Sequence, residues 1–433
     1  MNFYKNLMLQ LVVLLGITTA VFAAGDDGQD DSNYQQQLND KDWEVLRDFV
    51  NSKRAIDGEG EPCSLTVSGD VRTEWRHLCE EQNGRILRGG KAKKRGIPLS
   101  RNDFDIEFNL RFDYVCDRAW MVAEVDFDNS AGVDRVDRGC PSDRSSWQGN
   151  GVCDSVCLKK AYAGYNLYTE CGTRIDVEFG RRNLYNALDS RVQFLSRFDG
   201  ILLKYSTNFE NVADFYANFL GFVVDERVNH FAWATEIGFL DIYDKGVDLK
   251  YSFIDWVKNG RNRCGAMNPN GSKFRISQWS AIYHFEPELT LNLPAKLYGA
   301  FALNHTPPSL KGIRNVKKNP HGTQPQAWYV GFTIGQVVNE NDWAFDVQYQ
   351  WVGATSIPDE DVGGIGRGNV LDDNLTFNGR GNTNFKGWKF QFLYAITDNL
   401  TVEGSYSFSK QINKRIGGTH NFNKFEIETI FAF

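Results

Sequence analysis

From residue 63 to the last residue, 433, apolar side chains recur at every second position, segment after segment. A two-residue period belongs to the pleated strand, whose successive side chains point to opposite faces. The segments are 64–78, 103–116, 118–128, 158–168, 172–181, 199–208, 212–224, 229–240, 245–256, 277–285, 295–304, 326–337, 342–352, 384–396, 399–409 and 421–433. Each is near the roughly 9–11 residues that a tilted strand needs to cross a bilayer. Alternation is cleanest in the second, where Phe104, Ile106, Phe108, Leu110, Phe112 and Tyr114 oppose Asp105, Glu107, Asn109, Arg111 and Asp113. Trp343, Phe345, Val347, Tyr349 and Trp351 repeat the pattern with aromatic residues at both ends, as an interfacial girdle requires.

The connections discriminate between architectures, because a membrane barrel has short turns on one side and longer loops on the other. Counting back from Phe433, one set comprises 410–420, 353–383, 305–325, 257–276, 225–228, 182–198, 129–157 and 79–102, of which all but 225–228 are long. The alternate set is 397–398, 338–341, 286–294, 241–244, 209–211, 169–171 and residue 117, all of them short. A soluble sandwich or propeller has no reason to alternate in this way. The expected fold is all-β, a transmembrane antiparallel β-barrel of about 16 strands over 63–433, with the short turns facing the periplasm.

After the N-terminus no uncharged apolar run reaches the ~20 residues of a membrane helix. Aromatic content of 14% and 40 glycines suit strands and turns. A net charge of -7 argues against nucleic acid, which is held by gathered Lys and Arg. Lys5, the apolar stretch 7–22 and Val21-Phe22-Ala23 compose a secretory signal over 1–23, an uncleaved anchor being the alternative. Residues 24–62 are then a periplasmic N-terminal segment with one helix, since Trp43, Leu46, Phe49 and Val50 share a face and Asn39 or Asp40 can cap it.

The polar faces of the strands would line a hydrated lumen. The pore-lining candidates are Asp105, Glu107, Arg111, Asp113, Glu124, Asp126, Arg174, Asp176, Glu178, Lys250, Glu403, Glu426 and Glu428, of mixed sign. The connection 182–198 carries Asp189, Arg191 and Arg197 among Leu184, Tyr185, Leu188, Val192, Phe194 and Leu195. It either packs outside on its neighbours or folds inward, where Asp189 and Arg191 would set a transverse field across a constriction. Arg85, Arg88, Lys91, Lys93, Lys94 and Arg95 are a basic run, either a solvated loop or a contact for anionic surface lipid.

No nucleophile, His and carboxylate stand in a recognisable catalytic setting, so an enzyme is not expected. The Gly364–Gly368 stretch lacks the βαβ context of a dinucleotide site, and Asp126, Asp128 and Asp137 echo a calcium loop without its required Gly and Glu. Cys140, Cys153 and Cys157 complete no zinc set of usual spacing. Neither metal nor cofactor is expected.

Eight cysteines in an exported chain imply disulfides. Cys63, Cys116 and Cys171 fall on the turn side, and Cys79, Cys140, Cys153, Cys157 and Cys264 on the loop side. A disulfide needs Cα atoms within about 7 Å and cannot bridge the ~30 Å hydrocarbon layer. Each odd-numbered set keeps at least one thiol for a neighbour.

The final strand, with Phe425, Ile427, Thr429, Phe431 and Phe433 on one face and Glu426 and Glu428 on the other, resembles the closing strand of bacterial outer membrane barrels. That likeness implies that Phe433 is the signal read by the barrel assembly machinery. The run from Trp43 to Arg54, followed by Leu65-Thr66-Val67-Ser68-Gly69-Asp70-Val71-Arg72, the scattered cysteines and the terminal Phe resemble the outer membrane porins of chlamydia-related bacteria. The resemblance implies a general-diffusion porin of the bacterial outer membrane that passes small hydrophilic solutes, with cysteine cross-links to other envelope proteins. A structural or adhesive barrel with a plugged lumen is the alternative. Outer membrane lipid is the expected surrounding, and a homo-trimer is a partner state left open.

Overall fold

The computed structural model describes residues 63–88, 102–130, 155–225, 230–258, 274–290, 293–307, 323–358, 361–365, 383–416 and 418–433. The signal segment 1–23 and the helix expected within 24–62 lie outside the described residues. The strands are β1 (Cys63–Gln82), β2 (Arg85–Arg88), β3 (Asn102–Cys116), β4 (Ala119–Ser130), β5 (Ser155–Glu170), β6 (Thr173–Asn183), β7 (Arg197–Phe209), β8 (Ala213–Asp225) and β9 (His230–Leu240). They continue as β10 (Val247–Lys258), β11 (Phe274–Phe285), β12 (Ala295–Asn304), β13 (Gln326–Gln336), β14 (Trp343–Val352), β15 (Phe385–Ala395), β16 (Leu400–Gln411) and β17 (His420–Ala432).

Every strand from β3 to β17 pairs antiparallel with its neighbour in sequence. β1 closes the circle. On one side it pairs with β3, from Cys63 opposite Cys116 to His77 opposite Asn102. On the other it pairs with β17, from Asp70 opposite Ala432 to Gln82 opposite His420. The result is a closed barrel of sixteen antiparallel strands, with β2 as a short addition hydrogen-bonded to the end of β1.

All sixteen segments with the two-residue period form strands. The exception to the expected layout is the connection after residue 78: β1 runs on to Gln82 and turns back into β2. Asn83 and Gly84 make that turn with φ of 53° and 74°. Asn-Gly is the dipeptide that accepts two left-handed residues in a tight hairpin. The short connections at the opposite end use the same chemistry. Asp117, Cys171, Asn211, Asp241 and Asn341 all have positive φ there, and four of these five are the Asx residues that tolerate it.

Burial is inverted relative to a water-soluble protein. Leu65, Ile106, Phe179, Ile201, Leu249 and Phe392 lie exposed on the outer face, while Asp70, Arg72, Glu124, Glu178, Glu236 and Asp346 are buried inside. Aromatic rings knit the outer face across strands. Phe215 meets Phe239 at 5.0 Å, Trp233 meets Phe253 at 5.1 Å, and Tyr349 meets Trp388 at 5.0 Å. Such cross-strand pairs help fix register.

The end of the chain is built into the closure. Gly69 N–H donates to the Phe433 carbonyl at 3.1 Å and Phe433 N–H donates to the Gly69 carbonyl at 3.0 Å. The Phe433 ring stacks with Phe108, centroids 6.2 Å apart. At the same end, Cys63 and Cys116 form a disulfide between the paired strands β1 and β3.

A side chain at position 69 would meet this seat. Its Cβ would lie 2.5 Å from the Asn109 carbonyl oxygen and 2.7 Å from Phe433 Cζ. Gly69→Val is therefore expected to destabilise the folded barrel by about 1–3 kcal/mol, the usual cost of overpacking. Urea titration in detergent, followed by heat-dependent gel mobility, reads this directly, and an unchanged midpoint would contradict the described seat.

Candidate functional site

The connection 184–196, after β6, is not an external loop. It begins with a 3₁₀ turn at Leu184–Asn186 and closes at its base where Leu184 N–H donates to the Ser196 carbonyl at 2.9 Å. Leu184, Leu188, Val192 and Phe194 are buried in one cluster with Leu202 of β7, Leu220 of β8, Ala234 of β9, Ile254 of β10 and Ile276 of β11. These are inward-facing wall positions, so the apolar side chains noticed in the sequence hold the loop against the inside of the barrel. Burying them there removes apolar surface from water.

Polar contacts fix the crossing limb along the wall. Asp189 N–H donates to Glu236 Oε2 at 2.7 Å, and Lys250 Nζ donates to Asp189 Oδ2 at 2.7 Å. Gln278 Nε2 donates to the Asp189 carbonyl, while Ser190 Oγ donates to Gln278 Oε1 at 2.7 Å. Arg191 lies 4.5 Å over the Tyr298 ring and 3.8 Å from Asp346, and Gln350 Nε2 donates to the Arg191 carbonyl at 3.4 Å. The contacts run from β9 to β14. Asp189 and Arg191 thus come together with the wall, but both side chains are buried and neutralised within it, 5% and 3% exposed respectively. Their charges anchor the loop.

The return limb is held by a second loop. Phe194 has φ of 73°, a left-handed conformation that costs a residue with a Cβ about 1–2 kcal/mol. Asp361, fully buried in the connection between β14 and β15, spans this turn. Its Oδ2 accepts from Phe194 N–H at 3.2 Å and its Oδ1 from Ser196 N–H at 3.1 Å. Gly363 N–H donates to the Val192 carbonyl at 3.0 Å.

Across from the loop, the wall of β1, β3, β4, β5, β16 and β17 carries most of the remaining candidates. Asp105, Glu74, Glu428 and Glu403 are register neighbours on the four adjacent strands β3, β1, β17 and β16. Basic side chains interleave with them. Arg76 pairs with Glu74 at 2.9 Å and with Asp105. Arg72 pairs with Asp70 and approaches Glu107 and Glu428 at 3.8 and 3.9 Å. Lys159 reaches Glu107 at 3.1 Å, Lys160 reaches Glu124 at 2.9 Å, and Lys424 pairs with Glu426. Glu403 accepts from Gln391 Nε2 at 3.0 Å.

The other candidates form local pairs. Arg111 forks onto Asp113 at 2.7 and 2.8 Å. Asp176 accepts from Arg174 and Asn166, each at 2.8 Å, and Glu178 pairs with Lys204 at 2.6 Å and with Arg182. Asp126 faces Cys157 at 3.7 Å. Among the described cysteines outside the disulfide, Cys171 is exposed in the turn between β5 and β6, and Cys79 and Cys157 are half-buried. Cys140, Cys153 and Cys264 lie outside the described residues, as do Lys91, Lys93, Lys94 and Arg95.

Strand alternation alone would turn Glu236, Gln278, Asp346 and Gln350 inward. Their meeting with the 184–196 loop depends on the stagger of strands around the barrel, which no local pattern encodes. Asp361 stands in a stretch with no period, and nothing nearby in sequence marks it.

No protein-family model matches the chain, and no curated protein matches its sequence. Among solved structures the chain is similar to OprB of Pseudomonas putida in its high-pH form, at 11% identity and a TM-score of 0.49, over 85% of this chain and 94% of that one. It is similar also to OmpF of Salmonella typhi in complex with daunomycin, at 12% identity and a TM-score of 0.48, over 86% and 98%. A third is the outer membrane channel DcaP of Acinetobacter baumannii, at 11% identity and a TM-score of 0.44, over 86% and 97%.

Burial raises the Asp361 carboxyl to about 7, against the smaller opposing pull of the Ser196 and Phe194 N–H groups.

Proposed function

We propose that the chain is a general-diffusion porin of a bacterial outer membrane, passing small hydrophilic solutes down their gradients through a water-filled, mixed-charge lumen. The observation that carries this reading is the inversion of burial in a closed barrel: apolar side chains face outward around the strands, and charged side chains face inward along them. An apolar exterior suits lipid. An interior of carboxylates, guanidinium and ammonium groups suits water and hydrated solutes.

The inward loop 184–196 is the constriction in this reading. It packs on the β8 to β14 side, leaving the charged wall of β1, β3, β4 and β17 across the passage. The side chains of Glu107, Arg76 and Lys424 keep 30%, 24% and 28% of their area exposed there. Solutes are then sorted by size at the loop and by charge at Asp105, Glu107, Glu124, Glu403, Glu426 and Glu428 with their basic neighbours. Arg111, Asp113, Arg174, Asp176 and Glu178 line the passage beyond it. Phe433 serves as the terminal signal for barrel assembly, and the exposed Cys171 offers a thiol for cross-linking to another envelope protein, as in the chlamydia-related porins that the sequence resembles. A homo-trimer in the membrane belongs to the same reading.

Planar-bilayer recording on the refolded full chain tests the channel. Discrete current steps are expected in potassium chloride, proportional to voltage at low potential. Reproducible absence of steps from protein with barrel-like heat-dependent gel mobility would overturn the proposal.

A further inference from the structure

The connection between β14 and β15 is part of the wall of the lumen over its described length. Ala354, Thr355, Ser356, Ile357, Val362 and Ile365 are all buried. Ile357, Val362 and Ile365 belong to the same apolar cluster as Leu184, Leu188, Val192 and Phe194 of the inward loop. The two loops therefore share one small core inside the barrel.

Beside the Gly363 N–H donation to the Val192 carbonyl, three hydrogen bonds between them converge on a single residue. Asp361 accepts from the backbone on both sides of Leu195, with Phe194 N–H on one oxygen and Ser196 N–H on the other. Its own carbonyl accepts from Leu195 N–H at 3.4 Å. Three consecutive amides of the return limb thus point at one residue. Nearby, Ile365 N–H donates to Gln350 Oε1 at 2.9 Å, and Gln350 Nε2 donates onward to the Arg191 carbonyl. Leu195 itself is 56% exposed, so the apolar contact of this turn is made by Phe194 alone. Phe194 meanwhile keeps a left-handed backbone that persists only where neighbours over-determine it. The crossing limb is anchored separately, by Lys250, Glu236 and Gln278.

We propose that Asp361 is the positioning residue of the constriction, clamping the strained turn at Phe194 and so holding the inward loop in one place across the lumen. The clamp depends on two carboxylate oxygens placed to receive two backbone donors. An asparagine keeps the size of the side chain but sets an N–H against one of those donors, and an alanine removes both acceptors. Without the clamp, the Phe194 turn relaxes toward an ordinary backbone, and the return limb takes several positions. This inference rests on the channel reading for its electrical consequence, but not for its structural one.

The test uses the refolded full chain, with Asp361→Asn, Asp361→Ala and, as a control, Asp398→Asn in the turn between β15 and β16, where Asp398 accepts from Glu340 N–H. In planar bilayers at one pH and salt concentration, both Asp361 variants are expected to lose the single flat open level of the parent and to show sublevels and excess current noise, while Asp398→Asn keeps the flat level. Hydrogen exchange on the same samples is expected to show loss of protection in peptides spanning 184–196 in the Asp361 variants alone. A flat open level with retained protection in Asp361→Asn would overturn the proposal, as would equal loss in the control. If Asp361→Ala fails to refold, Asp361→Asn decides. If the parent forms no channel, the porin reading fails, and the exchange data still decide whether Asp361 holds the loop.

Discussion

Within hydrocarbon every backbone N–H and C=O must find its partner inside the protein, since no water is there to supply one. The pairing of β17 with β1 meets that demand here, turning an open meander with two bare edges into a barrel with none. Phe433 exchanges two backbone hydrogen bonds with Gly69, at a position where a Cβ would meet the Asn109 carbonyl and the Phe433 ring. Closure then dictates what each face of the strands must be. Once the sheet is a cylinder in lipid, the outward half of the alternation has to be apolar, and the inward half is left to hold the charges.

A lumen lined by carboxylates and cations needs those groups matched, because an isolated charge away from bulk water is costly. The wall answers with short-range pairs, many of them between residues two apart on one strand or directly across on the next: Arg111 with Asp113, Arg174 with Asp176, Lys160 with Glu124. The inward loop follows the same rule. Asp189 finds Lys250, Arg191 finds Asp346 and Tyr298, and the apolar residues between them pack into a cluster with wall residues of β7 to β13. In the channel proposed above, the loop then presents mostly bulk, and the charge pattern belongs to the opposite wall.

Strand positions and the direction each side chain faces were legible in the sequence, because both follow from a local two-residue period and from the lengths of the connections. Cys63 and Cys116 could be placed at one end for the same reason, and they meet in the register of β1 with β3. The extension of β1 into β2 was missed, 79–102 having been read as one long connection, although Asn83-Gly84 carries the hairpin signal. The path of 184–196 was only half legible. Leu184, Leu188, Val192 and Phe194 announced that the loop packs on something, but an inner wall and an outer neighbour satisfy that requirement equally. The partners Glu236, Gln278 and Asp346 lie 47, 88 and 155 positions away from Asp189, Ser190 and Arg191 in the chain, and strand stagger around the barrel brings them together. Asp361 was not legible, since its role depends on two backbone amides more than 160 residues before it.

In the channel proposed above, the loop 184–196, held inside the barrel, sets the size limit of the passage. Liposome swelling with sugars of increasing size tests it most directly, comparing the parent with a variant in which 187–193 is replaced by a short glycine-serine linker. The account predicts that the shortened loop raises trisaccharide entry relative to monosaccharide entry, at equal amounts of folded barrel in the membrane. A ratio unchanged by the replacement would mean that the loop does not limit the pore, and would contradict the account.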